Sequence, residues 1–192
     1  MLKILLSILM VVGVTSALVM GAVAVFTDMV SSPNNVFSVG TLDLTMAPAT
    51  AMFTVSQMAP GDVVYSGLQL INSGNLALRY AITTTPDGAS TLDEQLDLTI
   101  DVVTAAGADT TWYTADDTVG AANVFGPDGV LSAAAIGSPN QGAQSGDRSL
   151  PASGSERLRF KVTLPPSTPN GYQGTNCIVA FVFNAEQTAN NP

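Results

Sequence analysis

This 192-residue chain contains no histidine. Ser-His-Asp and Cys-His nucleophile systems are therefore excluded. So is a His-Glu-x-x-His helix, whose two imidazoles would hold a catalytic zinc. Cysteine is nearly absent as well: Cys177 is alone, so no intrachain disulfide forms and the core must hold itself together. Beside Ile178 and Val179, it reads as a small buried hydrophobe rather than a reactive thiol. Charge is scarce, at 11% of residues against about 25% in ordinary globular proteins. Lysine and arginine number only 6 against 15 acids, which excludes a nucleic-acid partner, since phosphate contacts need a basic surface. No Asn-x-Ser/Thr acceptor, no Gly-rich phosphate loop and no long run of helical period occurs.

What the chain does have begins with an apolar leader. After Lys3, residues 4–25 carry no charge, and Ala22-Val23-Ala24 satisfies the small-x-small rule of signal peptidase. Cleavage is expected between Ala24 and Val25. The competing reading is a retained anchor, because about 20 apolar residues can span a bilayer. A pilin-type leader fits less well, because here the apolar stretch precedes the small-residue site. Cleavage would leave 168 residues (192 minus 24), enough for one domain with a sizeable core. It would also remove Lys3, leaving five basic residues against fifteen acidic ones.

Beyond the leader, short alternating runs predict strands. They cover residues 36–46, 52–55, 63–71, 76–84 and 96–103, punctuated by the Pro60-Gly61 and Asn72-Ser73-Gly74-Asn75 turns. Core positions are expected at Val64, Leu68, Leu70, Leu76, Leu78, Tyr80, Ile82, Leu96, Leu98, Ile100 and Val102. Residues 104–154 are rich in Gly, Ala, Ser and Asp and read as a long loop region. Trp112-Tyr113 is a candidate short strand there, and residues 130–136 fit either a strand or a helical turn. The polar piece 137–155 reads as loop, either covering a sheet face or lying exposed. Residues 155–164 alternate most cleanly: Leu158, Phe160 and Val162 on one side, Arg157, Arg159 and Lys161 on the other. Four of the five basic residues after the leader thus lie between Arg148 and Lys161. The plain reading is a solvated strand face; the sharper one is electrostatic contact with an acidic neighbour. Pro165-Pro166 stops this strand. Residues 175–185 are apolar on both faces, so this last strand is expected to be central or covered on both sides. Eight or so short strands with Pro/Gly turns predict an all-β, two-sheet sandwich.

Asp109, Asp116, Asp117 and Asp128 lie in Gly/Thr-rich loops, where oxygen ligands can hold calcium. Their spacing is not that of an EF-hand, and loop aspartates ordinarily close turns through nearby backbone N–H groups. No acid/base pair stands out, and the sequence predicts neither an enzyme nor a cofactor.

Four pieces of wording occur in order: Val25-Phe26-Thr27-Asp28 followed by Phe37-Ser38-Val39-Gly40-Thr41-Leu42-Asp43-Leu44; Ala59-Pro60-Gly61-Asp62; Leu70-Ile71-Asn72-Ser73-Gly74-Asn75-Leu76; and Asn170-Gly171-Tyr172-Gln173-Gly174 with Phe181-Val182-Phe183-Asn184-Ala185. Together they resemble the TasA/camelysin (CalY) family of secreted, fibre-forming matrix proteins, including archaeal bundling-pilus-like relatives. Residues 87–155 match none of that wording. The resemblance implies a jelly-roll sandwich over 36–188 and a tail at 189–192. It also implies that the leading segment, 25–35, is donated as a strand to the next subunit, through Val25, Phe26, Met29 and Val30. The partners expected are further copies of the chain and, during export, the signal peptidase, with the membrane met only through the leader. Two other functions remain open: a monomeric surface adhesin, and a secreted peptidase such as the label carried by some camelysin relatives.

Overall fold

The computed structural model describes residues 40–49 and 58–191. The expected run 52–55, the start of the run at 36 and the whole segment 1–35 lie outside the described residues. Nine strands are found among the rest: β1 (Leu44–Ala47), β2 (Val63–Asn72), β3 (Leu78–Pro86), β4 (Asp97–Ala105), β5 (Thr118–Val130), β6 (Ala135–Ile136), β7 (Arg148–Leu150), β8 (Ser155–Thr163) and β9 (Val179–Gln187). Three single 3-10 turns are the only helical pieces among the described residues.

The strands form two sheets, the all-β sandwich that the alternation predicts. The first has the order β1-β2-β8-β4-β5. In the second, β3 pairs with β9 along its whole length and with the short β6 and β7 at Ile82–Thr83 and Leu78–Tyr80. All pairings are antiparallel. The chain passes from β2 in the first sheet to β3 in the second, and again from β8 to β9. That repeated crossing is what stacks the sheets.

Period-2 alternation places the core. Leu68, Leu70, Leu98, Ile100, Leu158 and Phe160 line the inner face of the first sheet and are buried. Leu78, Tyr80, Ile82, Ile136 and Leu150 meet them from the second. Each such side chain contributes roughly 1.5–3 kcal/mol of transfer free energy. Val64 and Leu76 are only partly buried.

Several expectations are corrected. Trp112-Tyr113 is not a strand, and Tyr113 takes a positive φ of 69°. Residues 118–130, read as loop, form the longest strand, β5. Small and polar residues hid its period, and its pairing with β4 slips register four times. Residues 130–136 are both of the alternatives: a 3-10 turn at Leu131–Ala133, then β6. The outward side of β4 is not solvated, because Thr99, Asp101 and Val103 are buried along with its core side. The final strand, expected to be central or covered on both sides, lies at the side of its sheet with one neighbour among the described strands, and Val182 on its outer face is exposed.

Candidate assembly surface

β9 carries the most conspicuous surface. Its inward residues Val179, Phe181, Phe183 and Ala185 pack on the core yet remain only partly buried. The Phe181 ring meets Phe160 edge-on, with centroids 5.0 Å apart. Along its outer side, Val182 is 39% exposed, and Ile178 just before the strand is 64% exposed. Among the described residues no strand pairs with its second edge. Open edges are templates for pairing, and proteins blunt them with bulges or short strands. The other long edge, β5, is blunted in this way: its register is irregular, and Asn123, Gly126 and Asp128 have positive φ. β1 has four residues. β9 keeps regular register with β3 from Val179 to Gln187.

The basic residues of β8 are not a solvated face. β8 lies between β2 and β4, and the loop of residues 106–117 folds across its outer side. Arg159 is 7% exposed. Its Nη2 donates to Asp101 Oδ2 at 2.7 Å and its Nη1 to the Thr114 carbonyl at 2.7 Å. Arg157 stacks over the Trp112 ring at 4.1 Å. Lys161 Nζ lies 3.6 Å from Asp128 Oδ1 in an exposed pair. The structure thus gives all three side chains partners within the chain. The loop that supplies Trp112 and the Thr114 carbonyl has no hydrophobic period, so the sequence pattern could not announce it.

The aspartates considered for calcium shape that loop. Buried Asp117 accepts the Tyr113 and Thr114 N–H groups through Oδ2, at 2.7 and 3.2 Å. Asp116 accepts the Thr114 hydroxyl at 2.7 Å, a bond that holds its carboxyl below the usual aspartate range. Asp109 accepts the Thr111 N–H at 2.8 Å, and Asp128 lies away on β5. Among the described residues, no group of three or more His, Cys, Asp or Glu side chains is placed to hold a metal ion.

Other ion pairs join elements that are distant in sequence. Arg148 donates from Nε and Nη2 to both Glu156 oxygens, at 3.0 and 2.7 Å, and the Tyr80 hydroxyl donates to the same carboxylate. This clasp ties β3 and β7 of the second sheet to β8 of the first. Burial, with Glu156 beside it, pushes the Tyr80 phenol well above its usual range. Arg79 is buried and donates to Glu186 across the β3–β9 ladder, which holds that carboxyl below the usual glutamate range. Cys177 is half-buried against the core, and burial raises its thiol pKa, with Asp93 and Asp87 adding to it. Ala24, Val25, Phe26, Met29 and Val30 lie outside the described residues.

A family model described as camelysin metallo-endopeptidase matches residues 3–103. The chain belongs to the camelysin family. No curated protein matches it. The camelysin match runs from residue 3 into β4, and it places the chain in a family of secreted proteins. No helix among the described residues is long and apolar enough to cross a membrane. The description also implies a catalytic metal, and the residues of this camelysin-family chain do not fit one. It has no histidine. Four of its acids are committed to other groups: Asp101 to Arg159, Glu156 to Arg148, Glu186 to Arg79 and Asp117 to its own turn.

Proposed function

We propose that this chain is an exported structural subunit that assembles head to tail into extracellular filaments, and that it is not a peptidase. In this reading cleavage follows Ala24, and residues 25–35 pair as a strand with the next copy. The observation that carries it is the β9 edge: nine residues in regular register, an incompletely covered apolar inner row and a free second side among the described residues. A strand laid there gains backbone hydrogen bonds and covers Val179, Phe181 and Phe183. Val25, Phe26, Met29 and Val30 supply matching apolar side chains. Burying three or four of them contributes about 5–10 kcal/mol gross. Ordering the segment and fixing the subunit costs several kcal/mol of that. A head-to-tail contact that does not close on itself propagates as a filament.

The test is deletion of residues 25–35 from the exported protein, followed by electron microscopy. Filaments should be lost while the circular dichroism of the sandwich is kept. Normal filaments from the truncated protein would rule out the donor role. Phe26→Asp should leave a folded subunit that polymerises slowly. If it unfolds the subunit instead, Phe26 belongs to its own core. A purified protein that stays monomeric at every concentration would favour the adhesin reading.

A further inference from the structure

The second sheet carries a cleft on its outer side, lined by residues of β3, β9 and the loop that follows β6. The loop of residues 137–147 lies over the outer side of β3 and β9 and leaves a space of about 210 Å³. Its walls are fixed from within. Asp147 accepts the Ser138 N–H at 3.0 Å and the Gln144 N–H at 2.8 Å, and Glu186 accepts the Gly142 N–H at 3.1 Å. Gly137 has a φ of 66°, and a Cβ there would meet Asp147 Oδ1 at 2.4 Å, so this turn requires glycine.

Three side-chain amides, Asn140, Gln141 and Asn184, line the cleft. Among the described residues, none of the three amide groups makes a hydrogen bond. Two come from the loop and one from β9, so the fold converges them from positions more than forty residues apart in sequence. Each offers two donors and an acceptor oxygen. The floor is the Arg79–Glu186 pair, whose charges offset each other, and Asp147 adds a negative charge at the wall. With a chain net charge of −9, the cleft repels anions, while its amides give little to an apolar group.

We propose that this cleft binds one unit of a neutral saccharide. Vicinal hydroxyls are the groups that use paired amide donors and acceptors, and carry no charge to be repelled. The volume suits one sugar ring rather than a drug-sized ligand, whose pockets run to about 300–1,000 Å³. Tyr80 is the only aromatic residue in the lining, and its ring lies in the core with its hydroxyl on Glu156. With no ring to stack on a sugar face, binding rests on hydrogen bonds and is weak at a single site. Repetition along an array would raise it through avidity.

Ligand-observed saturation-transfer NMR tests this on the full chain, as monomer or polymer, so its outcome is separate from that of filament formation. The probes are maltohexaose, cellohexaose and xylohexaose, with hexagalacturonate and a neutral Gly/Ser peptide for comparison. Transfer to the ring protons of at least one neutral hexasaccharide is expected, reduced roughly fivefold or more by Asn184→Ala. Gln141→Ala, on the exposed loop, should act likewise and covers the case in which the strand variant misfolds. The proposal is overturned by no transfer to any neutral hexasaccharide, by transfer that both variants leave unchanged, or by stronger transfer to the uronate or the peptide.

Discussion

Gly67 is buried on β2 where the loop of residues 106–117 presses down. A Cβ there would meet the Leu158 carbonyl oxygen and the Tyr113 ring, each at 2.3 Å. Gly67→Ala must push one of them away, so a loss of about 1–3 kcal/mol in urea unfolding is expected. Beside it, Arg159 and Asp101 form an ion pair with side chains 8% and 9% exposed. Asp101→Asn leaves the guanidinium buried with its charge uncompensated, and a loss of about 3–5 kcal/mol follows. The exposed Lys161–Asp128 pair should matter far less, at about 0–1 kcal/mol. Titration gives two further residue-scale outcomes. Glu186 and Asp116 are held below their ordinary values of 4.5 and 3.8, so the stability they add is present above those values and falls as pH drops through the lower, folded ones. Tyr80 is raised above its ordinary 10.0, so its contribution is present below pH 10.0 and is lost as pH rises beyond it. Tyr80→Phe should therefore flatten the alkaline limb of a stability–pH curve, and Glu186→Gln the acid limb.

At the scale of elements, two loops without regular structure cover the outer sides of two sheets. The first is held by Asp117 and carries Trp112, the chain's only tryptophan. Asp117→Asn weakens bonds to two backbone N–H groups and should release the loop. Trp112 emission should shift to the red as its stacking on Arg157 is lost, with a stability loss of about 1–2 kcal/mol. An unchanged spectrum would mean that Arg159, through its bond to the Thr114 carbonyl, suffices to hold the loop. β9 behaves differently, because its outer residues support no neighbour among the described strands. Val182→Lys should change stability by no more than about 0.5 kcal/mol. It places a charge beside an open edge, the device by which natural sheets prevent pairing. Filament growth should stop in that variant, as followed by light scattering, while the monomer stays folded.

For the whole molecule, the proposed assembly makes a prediction from the balance of charge. The three basic residues of β8 have partners within the chain, so on the proposed function the subunits would approach one another as acidic bodies. Added salt should then speed assembly by screening like charges. An intersubunit contact through Arg157, Arg159 and Lys161 predicts the opposite sign, and growth rates at two ionic strengths distinguish them.

Much of the sandwich was legible in the chain. Leu68, Leu70, Leu78, Tyr80, Ile82, Leu98, Ile100, Leu158 and Phe160 declare themselves by alternation, because a strand's period of two residues fixes which side chains share a face. The absence of histidine rules out a His-Glu-x-x-His zinc helix without any coordinates. What alternation cannot give is the neighbour on either side of a strand, since pairing is decided between segments far apart in sequence. The tertiary structure alone set β8 between β2 and β4 beneath a loop, which gave Arg159 a buried ion pair, Arg157 a stack on Trp112 and Lys161 an exposed acidic partner. It also put the doubly apolar β9 at the side of its sheet, with an edge that no other described strand pairs.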